Sequence, residues 1–373
     1  MTRFRTSLCD LLGIEYPILQ SGMGGVAGPE LVAEVSRAGG LGILAGLRLT
    51  RDQLRAGIRR IRELTDRPFG VNLWLHTELM PPADVAKIPE GTLRKVQDTL
   101  NRFRVRLGIP VSEVRPPAVP DLIGEAFEVI LEERVPVWSI GLGNPDPAWV
   151  GRCHERGVKI VAMVATVEDA RAVAASGVDA VIAQGAEAGG HRSTWVKPAS
   201  REAAQVGALA LVPQIVDAVK MPVIASGGIA DGRGLVAALA LGATGVLMGT
   251  RFVATREATA AEFWKKSLLE RGGEATTVTD AITGLYARAL RNTYTEEYAT
   301  SGAPVLPALV QSSAAKDIFD AALAQQNGEY YPMWSGQGVG LIHDLPGAGE
   351  VVETIVREAR AVLEKLPARV KLS

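Results

Sequence analysis

The stretch PVIASGGIADGRGLVAALALGATGVLMG (222–249) contains two short apolar segments separated by a longer one of helical character. PVIAS and GVLM have the length and the nearly continuous apolar composition of β-strands that are covered on both faces. The intervening DGRGLVAALALG is typical of a helix. The stretch therefore predicts a strand, a helix and a second, parallel strand, which is the repeating unit of α/β folds.

The same alternation recurs along the chain, and helices are predicted between most of the apolar segments. They include PELVAEVSRAG (29–39), with proline in its first turn, and VEDARAVAASG (167–177), which ends at a glycine. Eight such units favour a TIM (β/α)8 barrel over a doubly wound sheet, which more often stops at about five to seven strands. The eight predicted strands are PILQSGM (17–23), LGILAG (41–46), FGVNLWL (69–75), VPVWSIGLG (135–143), VKIVAMVA (158–165), DAVIAQG (179–185), PVIASGG (222–228) and ATGVLMG (243–249).

Two regions do not follow the barrel pattern. Residues 76–122 are longer than one helix requires, and they are predicted to elaborate the crossover between the third and fourth strands with a basic helix near GTLRKVQDTLNRFRVRLG (91–108). Beyond residue 255 the pattern becomes irregular and helical, ending in GEVVETIVREARAVLEKL (349–366). We expect a barrel over residues 1–255, containing the insertion 76–122, and a helical extension over 256–373 packed against it.

Composition excludes several functional classes. Forty Lys and Arg against 41 Asp and Glu give a formal charge of −1, without the basic excess of a nucleic-acid-binding protein. Cys9 and Cys153 form neither a disulfide framework nor a metal-binding spacing, and the N-terminus lacks a signal-like apolar segment, so a cytoplasmic protein is expected. Glycines break every apolar run before the roughly 20 residues of a membrane helix, so no membrane partner is expected. A homodimer is an oligomeric state that the sequence leaves open.

Small residues end the last two predicted strands. A barrel carries its chemistry at the carboxyl ends of its strands, and phosphate commonly binds after the seventh and eighth. Gly227 and Gly228 follow the seventh strand, while Met248, Gly249 and Thr250 close the eighth. Glycines there let backbone N–H groups approach an anion. Each turn alone could serve only to reverse the chain, but their joint occurrence favours a phosphate site.

Uncharged amides stand at other strand ends. They are Gln184, Asn72 and the first residue of QSGMGG (20–25). Amides and backbone groups without charge suit a flat heteroaromatic ring with carbonyl and N–H edges, such as a flavin. The histidines are scattered and show no ligand spacing, so no metal site is predicted.

The motifs together resemble the nitronate monooxygenase family, formerly called 2-nitropropane dioxygenases. The resemblance covers nearly the whole chain, and AEAGGHR (186–192) is its most specific part, together with the glycine pair SGG and MGT. The motifs that carry it are YPILQSGMGG (16–25), GVNL (70–73), QGAEAGGHR (184–192), IASGGIADGRG (224–234), MGTRF (248–252) and WSGQG (334–338). The resemblance implies an FMN-dependent TIM barrel with an added helical region.

The family's site residues map onto this sequence position by position. The resemblance implies that His191 is the active-site base or hydrogen-bond donor and that Gly22 and Met23 lie against the isoalloxazine ring. It implies FMN contacts for Asn72, Gln184, Gly189, Gly227, Gly228, Met248, Gly249 and Thr250. One departure is HRSTW (191–195), because the family often has glycine after HR; the bulkier Ser193, Thr194 and Trp195 are expected to reshape the substrate side.

His191 is the principal catalytic candidate, because a loop imidazole at the carboxyl end of a barrel strand can exchange a proton near neutral pH or, when protonated, stabilise an anion. For His76 the sequence leaves two roles open: lining the mouth of the barrel or capping its strand. Arg192 could face either an anionic substrate or solvent. Trp334 could either cover the flavin or pack the extension against the barrel.

The expected reaction is oxidation of an alkyl nitronate, such as propionate 3-nitronate, with O2 to a carbonyl compound and oxidised nitrogen. An NAD(P)H-dependent FMN reductase of enoyl thioesters or quinones is the alternative. A non-catalytic flavin-binding protein is a third class, but no separate partner module, repeat or charged tail supports it. All expected partners are thus small molecules: a nitronate, or NAD(P)H with an acceptor.

Overall fold

The eight apolar segments form the eight strands of one parallel sheet in a computed structural model that describes residues 4–203 and 205–369. Counted along the chain, neighbouring strands follow in the order first, eighth, seventh, sixth, fifth, fourth, third and second, and a parallel bridge between Leu19 and Leu41 joins the two end strands. The prediction of a TIM barrel is confirmed. The strands are β1 Ile18–Gln20, β2 Gly42–Ala45, β3 Phe69–Trp74, β4 Val137–Gly141, β5 Lys159–Val164, β6 Ala180–Gln184, β8 Val223–Ser226 and β9 Gly245–Met248.

Helices occupy the crossovers and cover the outside of the barrel. Local sequence marks their ends: Thr50 and Gln53 form a capping box at the start of the helix Arg51–Leu64, and the Asp231 side chain accepts from Arg233 N and Gly234 N in the first turn of the helix Gly232–Ala240. The helices up to β9 are α1 Ser7–Leu12, α2 Pro29–Arg37, α3 Arg51–Leu64, α4 Glu90–Leu107, α5 Ile123–Glu132, α6 Pro147–Glu155, α7 Val167–Ala175, α8 Ala208–Ala218 and α9 Gly232–Ala240.

Alternate residues along each strand fill the barrel interior. Ile43, Val161, Ile182 and Leu247 belong to one buried cluster inside it, and α1 adds Leu8 to the same cluster. Strand neighbours of these residues instead pack outward against the helices. Since the interior is filled by side chains and α1, we expect ligands to bind at the opposite, carboxyl end of the strands.

The insertion at 76–122 is an elaborated crossover, as predicted. Its helix α4 ends at Gly108, which adopts the left-handed conformation with φ 68°. Arg104 of α4 is 1% exposed, and its Nε donates to Asp317 Oδ2 at 2.8 Å. The insertion therefore packs on the C-terminal extension rather than lying alone on the surface.

The extension contains helices, as predicted, together with a small sheet that the sequence analysis missed. Strands β10 Thr276–Thr279 and β11 Ala287–Leu290 form an antiparallel pair, and β7 Gly190–His191 from the barrel pairs with β11. Ala315 separates two of the extension's helices, α13 and α14. The helices after β9 are α10 Thr250–Val253, α11 Glu262–Glu270, α12 Thr293–Thr300, α13 Val310–Ala314, α14 Lys316–Ala324 and α15 Ala348–Lys365.

Three further predictions concern the domain boundary, the two cysteines and membrane-spanning helices. The boundary at residue 255 stays a prediction. Cys9 and Cys153 are both buried free thiols. Within 4–203 and 205–369, no helix combines the length and apolar character required to cross a bilayer.

Candidate active site

A cavity of about 490 Å³ opens at the carboxyl ends of the barrel strands, beneath the extension. Its barrel side includes every residue assigned to the site from sequence: Gly22, Met23, Asn72, Gln184, Gly189, His191, Gly227, Gly228, Met248, Gly249 and Thr250. Thr283, Ser312 and Trp334 from the extension complete the wall. The fold thus brings the predicted residues together, while their individual roles stay predictions.

The turns after β8 and β9 present unused backbone donors to this cavity. The N–H groups of Gly227, Gly228, Gly249 and Thr250 donate to no residue within the described ranges. Gly227 and Gly228 have φ values of 103° and 72°, a region that other residues rarely adopt. Four converging donors without a basic side chain are a suitable site for a phosphate.

Arg251, which follows these turns, does not line the cavity and is not part of the proposed phosphate site. Its Nη1 donates to Asp344 Oδ1 at 2.8 Å, and its Nη2 donates to Ala254 O at 3.0 Å. Burial lowers the pKa of this guanidinium. The side chain therefore fastens the extension to the barrel.

Trp264 on α11 supplies a further donor. It lines the cavity and is 3% exposed, and its buried Nε1 finds no acceptor among the described residues. A buried donor normally has a partner, because an unsatisfied one costs about 1–3 kcal/mol. This indole therefore fits a polar ligand in the cavity.

Close backbone contacts shape the walls. A Cβ on Gly22 would lie 2.5 Å from Asn72 Cβ, and one on Gly189 would lie 2.5 Å from Gly336 N. The loop after β6 and the WSGQG segment of the extension consequently pack backbone against backbone. Gln337 N donates to Glu187 O at 2.9 Å across this contact. Any side chain at either glycine would separate the walls.

The three predicted amides have different environments. Asn72 Nδ2 donates to Ser139 O and Oγ, both at 3.1 Å, which leaves its Oδ1 without a described partner. Gln184 uses both ends of its amide on the following loop: Nε2 donates to His191 O and Oε1 accepts from Ser193 N, each at 2.8 Å. Gln20 bonds to Ile43 across the seam between β1 and β2. Only Asn72 keeps a polar atom for a ligand.

His191 lies in strand β7, where it pairs with Ala287 of the extension. Its ring is flanked by two indoles, with centroid distances of 4.5 Å to Trp74 and 5.1 Å to Trp334. Trp334, for which the sequence left two roles open, therefore lines the cavity. The imidazole therefore packs between two indoles on the cavity wall.

The charge state of His191 follows from these surroundings. Burial lowers its pKa to about 3, and the positive charges of Arg48 and His76 act in the same direction. The imidazole is thus neutral near pH 7 in the free protein. This low pKa disfavours the protonated anion stabiliser that the sequence left open, while the role of His191 stays a prediction.

Thr283 holds one ring nitrogen. Its Oγ1 lies 2.8 Å from His191 Nε2 and can also donate to Leu285 O at 3.4 Å. The hydroxyl either accepts from Nε2–H or donates to a bare Nε2. In both cases Nδ1 is the nitrogen available to a ligand, as lone pair or as N–H.

Arg48 is the one Lys, Arg, Asp or Glu among the described residues that line the cavity. It follows β2 in the left-handed conformation, with φ 70°. Its Nη2 donates to Ser312 Oγ at 2.8 Å. The cavity therefore has positive potential and no carboxylate on its wall.

The HRSTW departure does not reshape this cavity, contrary to expectation. Ser193 is fully buried, donating to Met163 O at 2.7 Å and accepting from Leu142 N at 2.9 Å. Neither Thr194 nor Trp195 lines the wall, and Trp195 O accepts from Thr77 N. The Ser193 hydroxyl and the Trp195 carbonyl therefore anchor the loop on its far side.

His76 and Arg192 are also structural. His76 is 1% exposed and lies outside the cavity lining, and its Nδ1 accepts from Glu78 N at 3.1 Å, so it caps the strand. Arg192 is 2% exposed and donates to Gly185 O and Gln184 O. Burial lowers its pKa to about 10. It faces neither substrate nor solvent because it binds carbonyl groups at the end of β6.

Trp74, Arg48 and Thr283 are among the wall residues that sequence reasoning missed. Two had a signal. Trp74 lies two residues after Asn72 on β3 and hence on the same face, and Arg48 follows the end of β2. Thr283 had none, because its position depends on how the extension folds back. Within the described ranges no three His, Cys, Asp or Glu residues are grouped to hold a metal.

Comparisons with known proteins agree with this architecture. The sequence model of the family described as nitronate monooxygenase matches residues 5–358. A probable nitronate monooxygenase of Staphylococcus saprophyticus is 34% identical over 97% of this chain and 100% of its own. Nitroalkane oxidase from Streptomyces ansochromogenes shares 34% identity with a TM-score of 0.87, covering 97% and 100% of the two chains. FabK from Thermotoga maritima shares 33% identity with a TM-score of 0.76, covering 98% and 99%.

Proposed function

Since this chain belongs to the nitronate monooxygenase family and is an oxidoreductase, we propose that it binds FMN and oxidises small alkyl nitronates with O2. Propionate 3-nitronate is a representative substrate. The products are a carbonyl compound and an oxidised nitrogen species. The observation that carries the choice of nitronate is the neutral His191 facing a cavity that has one cation and no carboxylate on its wall.

The residues of the cavity fit FMN. The free N–H groups of Gly227, Gly228, Gly249 and Thr250 would hold the phosphate, and Trp264 Nε1 would add a donor to a polar part of the cofactor. Asn72 Oδ1 would accept from a ring N–H, while Gly22, Met23, Gln184, Gly189 and Met248 would line the ring. Bound FMN would accept electrons from the nitronate and pass them to O2.

His191 would bind and orient the substrate. When Thr283 donates to Nε2, the neutral imidazole carries its proton on Nδ1 and can donate it to a nitronate oxygen. Trp74 and Trp334 restrict the ring and exclude water around it. An anion held by a neutral donor near Arg48 needs no proton removal by the protein.

A neutral nitroalkane would require a base in the active site. Its α proton must be removed before oxidation, and a base works best when its pKa lies near the working pH. With a pKa of about 3, His191 is poorly matched to that task near pH 7. This mismatch favours a substrate that arrives already ionised.

The test is anaerobic mixing of the FMN-loaded protein with propionate 3-nitronate, NADH or NADPH while the flavin absorbance is followed. We expect bleaching by the nitronate, recovery on admission of O2, and little response to either nicotinamide. Rapid bleaching by NADH or NADPH alone, with no response to the nitronate, would overturn the proposal.

That outcome would support a second candidate function, an NAD(P)H-dependent FMN reductase of enoyl thioesters or quinones. The similarity to FabK favours keeping it, because the identity is nearly the same as that to nitroalkane oxidase. The two functions differ in electron donor, so the same experiment separates them. Cytoplasmic location and a homodimer stay predictions from the sequence.

A further inference from the structure

We propose that Arg48 is a specificity residue that binds a carboxylate at the end of the substrate remote from its nitronate group. This inference rests on the proposed function, and it narrows the substrate class to short nitronates with a second negative charge. A nitronate group near His191 and a carboxylate near Arg48 would use the two polar positions on the substrate side of the cavity.

The guanidinium has unused donors. Arg48 Nη2 donates to Ser312 Oγ, and the other N–H groups donate to no described residue. No Asp or Glu within the described part of the chain forms an ion pair with it, although the protein's other ion pairs engage many of its arginines. A guanidinium offers five donors in a planar fork that matches a carboxylate. The side chain is therefore equipped for an anion that this protein does not itself supply.

The location of the Arg48 guanidinium favours anionic substrates over neutral ones. Arg48 lines the cavity and is exposed at its mouth, while the neighbouring protein atoms lower its pKa, so the guanidinium borders both protein and solvent. In such an environment an ion pair is stronger than at an open surface. A substrate with a methyl group in place of the carboxylate would form neither the ion pair nor its charge-assisted hydrogen bonds and would bind less tightly.

The position of Arg48 separates it from the proposed phosphate site. In the sheet order β1 lies between β2 and β9, and both β1 and β9 lie between β2 and β8. The phosphate turns follow β8 and β9, whereas Arg48 follows β2 and contributes its positive charge to the low pKa of His191. The guanidinium is thus electrostatically coupled to the candidate catalytic residue.

Backbone geometry maintains this placement. The φ of 70° at Arg48 is uncommon for a residue other than glycine, and it places the side chain where Ser312 of α13 can accept its hydrogen bond. A left-handed arginine in a loop at the mouth costs stability that its neighbours must offset. Such strain is consistent with a functional position.

Arg48→Met keeps the approximate length of the side chain and removes its charge. We expect the ratio of kcat/KM for propionate 3-nitronate to that for propyl-1-nitronate to fall about 10- to 100-fold, mainly through KM of the former. The second substrate has the same three carbons with a methyl group in place of the carboxylate. Arg48→Lys should retain part of the preference, and FMN affinity should not change.

Two comparison variants isolate the cause. Arg59→Met removes an exposed positive charge on α3, and Ser312→Ala removes the partner of Arg48 without removing the guanidinium. Arg59→Met should shift the ratio by less than about threefold, and Ser312→Ala should lower it clearly less than Arg48→Met does. If Ser312→Ala lowers the ratio as much as Arg48→Met, the arginine fastens α13 and the inference is wrong. Weakened FMN binding in Arg48→Met would instead assign the guanidinium to the cofactor and would also overturn it.

Calorimetric titration of the FMN-loaded protein provides a readout without turnover. 3-Nitropropionate, which has the carboxylate, should bind wild type more tightly than 1-nitropropane, and Arg48→Met should abolish that preference. Equal affinity of wild type for both ligands would overturn the inference. Preference for 3-nitropropionate in a protein that oxidises neither nitronate would leave Arg48 as an anion site and refute only the proposed function.

Discussion

His191 Nε2 lies 2.8 Å from Thr283 Oγ1, so the candidate catalytic side chain of the barrel is oriented by a residue of the C-terminal extension. Strand β7 adds a backbone connection, because it pairs with β11 of that extension. Trp334 contacts the same imidazole. The extension therefore completes the site rather than only covering it.

Thr283→Val should test this relationship, because valine keeps the shape of threonine without its hydroxyl. The imidazole would lose the hydroxyl that pairs with Nε2, so its tautomer and orientation would no longer be fixed from that side. We expect KM for a nitronate to rise roughly 3- to 10-fold with FMN content unchanged. Thr283→Ser should restore most of the affinity.

The ring itself can be followed with ¹⁵N-labelled histidine. The Nδ1 and Nε2 chemical shifts of His191 should change in Thr283→Val and return toward the wild-type values in Thr283→Ser. A KM effect without any change of these shifts would mean that Thr283 acts through packing alone.

His191→Asn distinguishes a hydrogen-bond donor from a base. Asparagine has an N–H donor of similar reach but cannot titrate near neutrality. For a nitronate we expect a loss below about tenfold, concentrated in KM, with FMN still bound. A loss of roughly 10²–10⁴-fold in kcat would instead identify His191 as a general base.

The low pKa of His191 also affects stability. An unfolded histidine takes up a proton below about pH 6.5, whereas folded His191 does so only near pH 3. The stability associated with the neutral side chain is therefore present above pH 6.5 and is lost as the pH falls toward 3. Lowering the pH from 7 to 5 should cost wild type about 2 kcal/mol more than His191→Asn. Urea unfolding of both FMN-loaded proteins at the two pH values measures this difference, and parallel losses would contradict it.

Gly249→Val should weaken FMN binding while preserving the fold. The backbone at Gly249 has φ −105°, which any residue can adopt, and a Cβ there would lie 3.5 Å from Met23 Sδ on the cavity wall. Gly228 is a less informative position, because its φ of 72° would strain any replacement. Fluorescence titration of apoprotein with FMN gives the affinity, and circular dichroism checks the fold. Gly91→Val, where a Cβ has open space, is the control, and equal affinities of both variants would place the phosphate elsewhere.

Trp264→Phe should raise the Kd for FMN about 2- to 10-fold, because phenylalanine keeps the aromatic packing and removes the unpartnered N–H. Trp138 offers a matched control: its Nε1 is also buried without a described partner, but the residue lies outside the cavity. Trp138→Phe should leave the Kd unchanged. Identical effects of the two substitutions would show that Trp264 does not contact the cofactor.

Much of the architecture could be predicted from short segments. Continuous apolar runs identify strands buried on both faces, and the eight runs with their intervening helices predicted the barrel that Ile18–Gln20 through Gly245–Met248 form. Because the carboxyl ends of parallel strands meet at one mouth, Asn72, His191 and the glycines after β8 and β9 were also predicted to be neighbours. Those inferences need only local pattern and a general property of the fold.

By itself, the sequence determined the barrel, the face that carries the site and the residues at its strand ends. Only the tertiary structure decided which of them keep polar atoms for a ligand: Gln184 uses its amide on the following loop, whereas Asn72 retains an oxygen. It also decided that His191 is neutral, because burial and a threonine 92 residues away set its pKa and its hydrogen bond. Hydrogen-bond partners, burial and electric field depend on groups distant in the chain, so no local pattern could contain them.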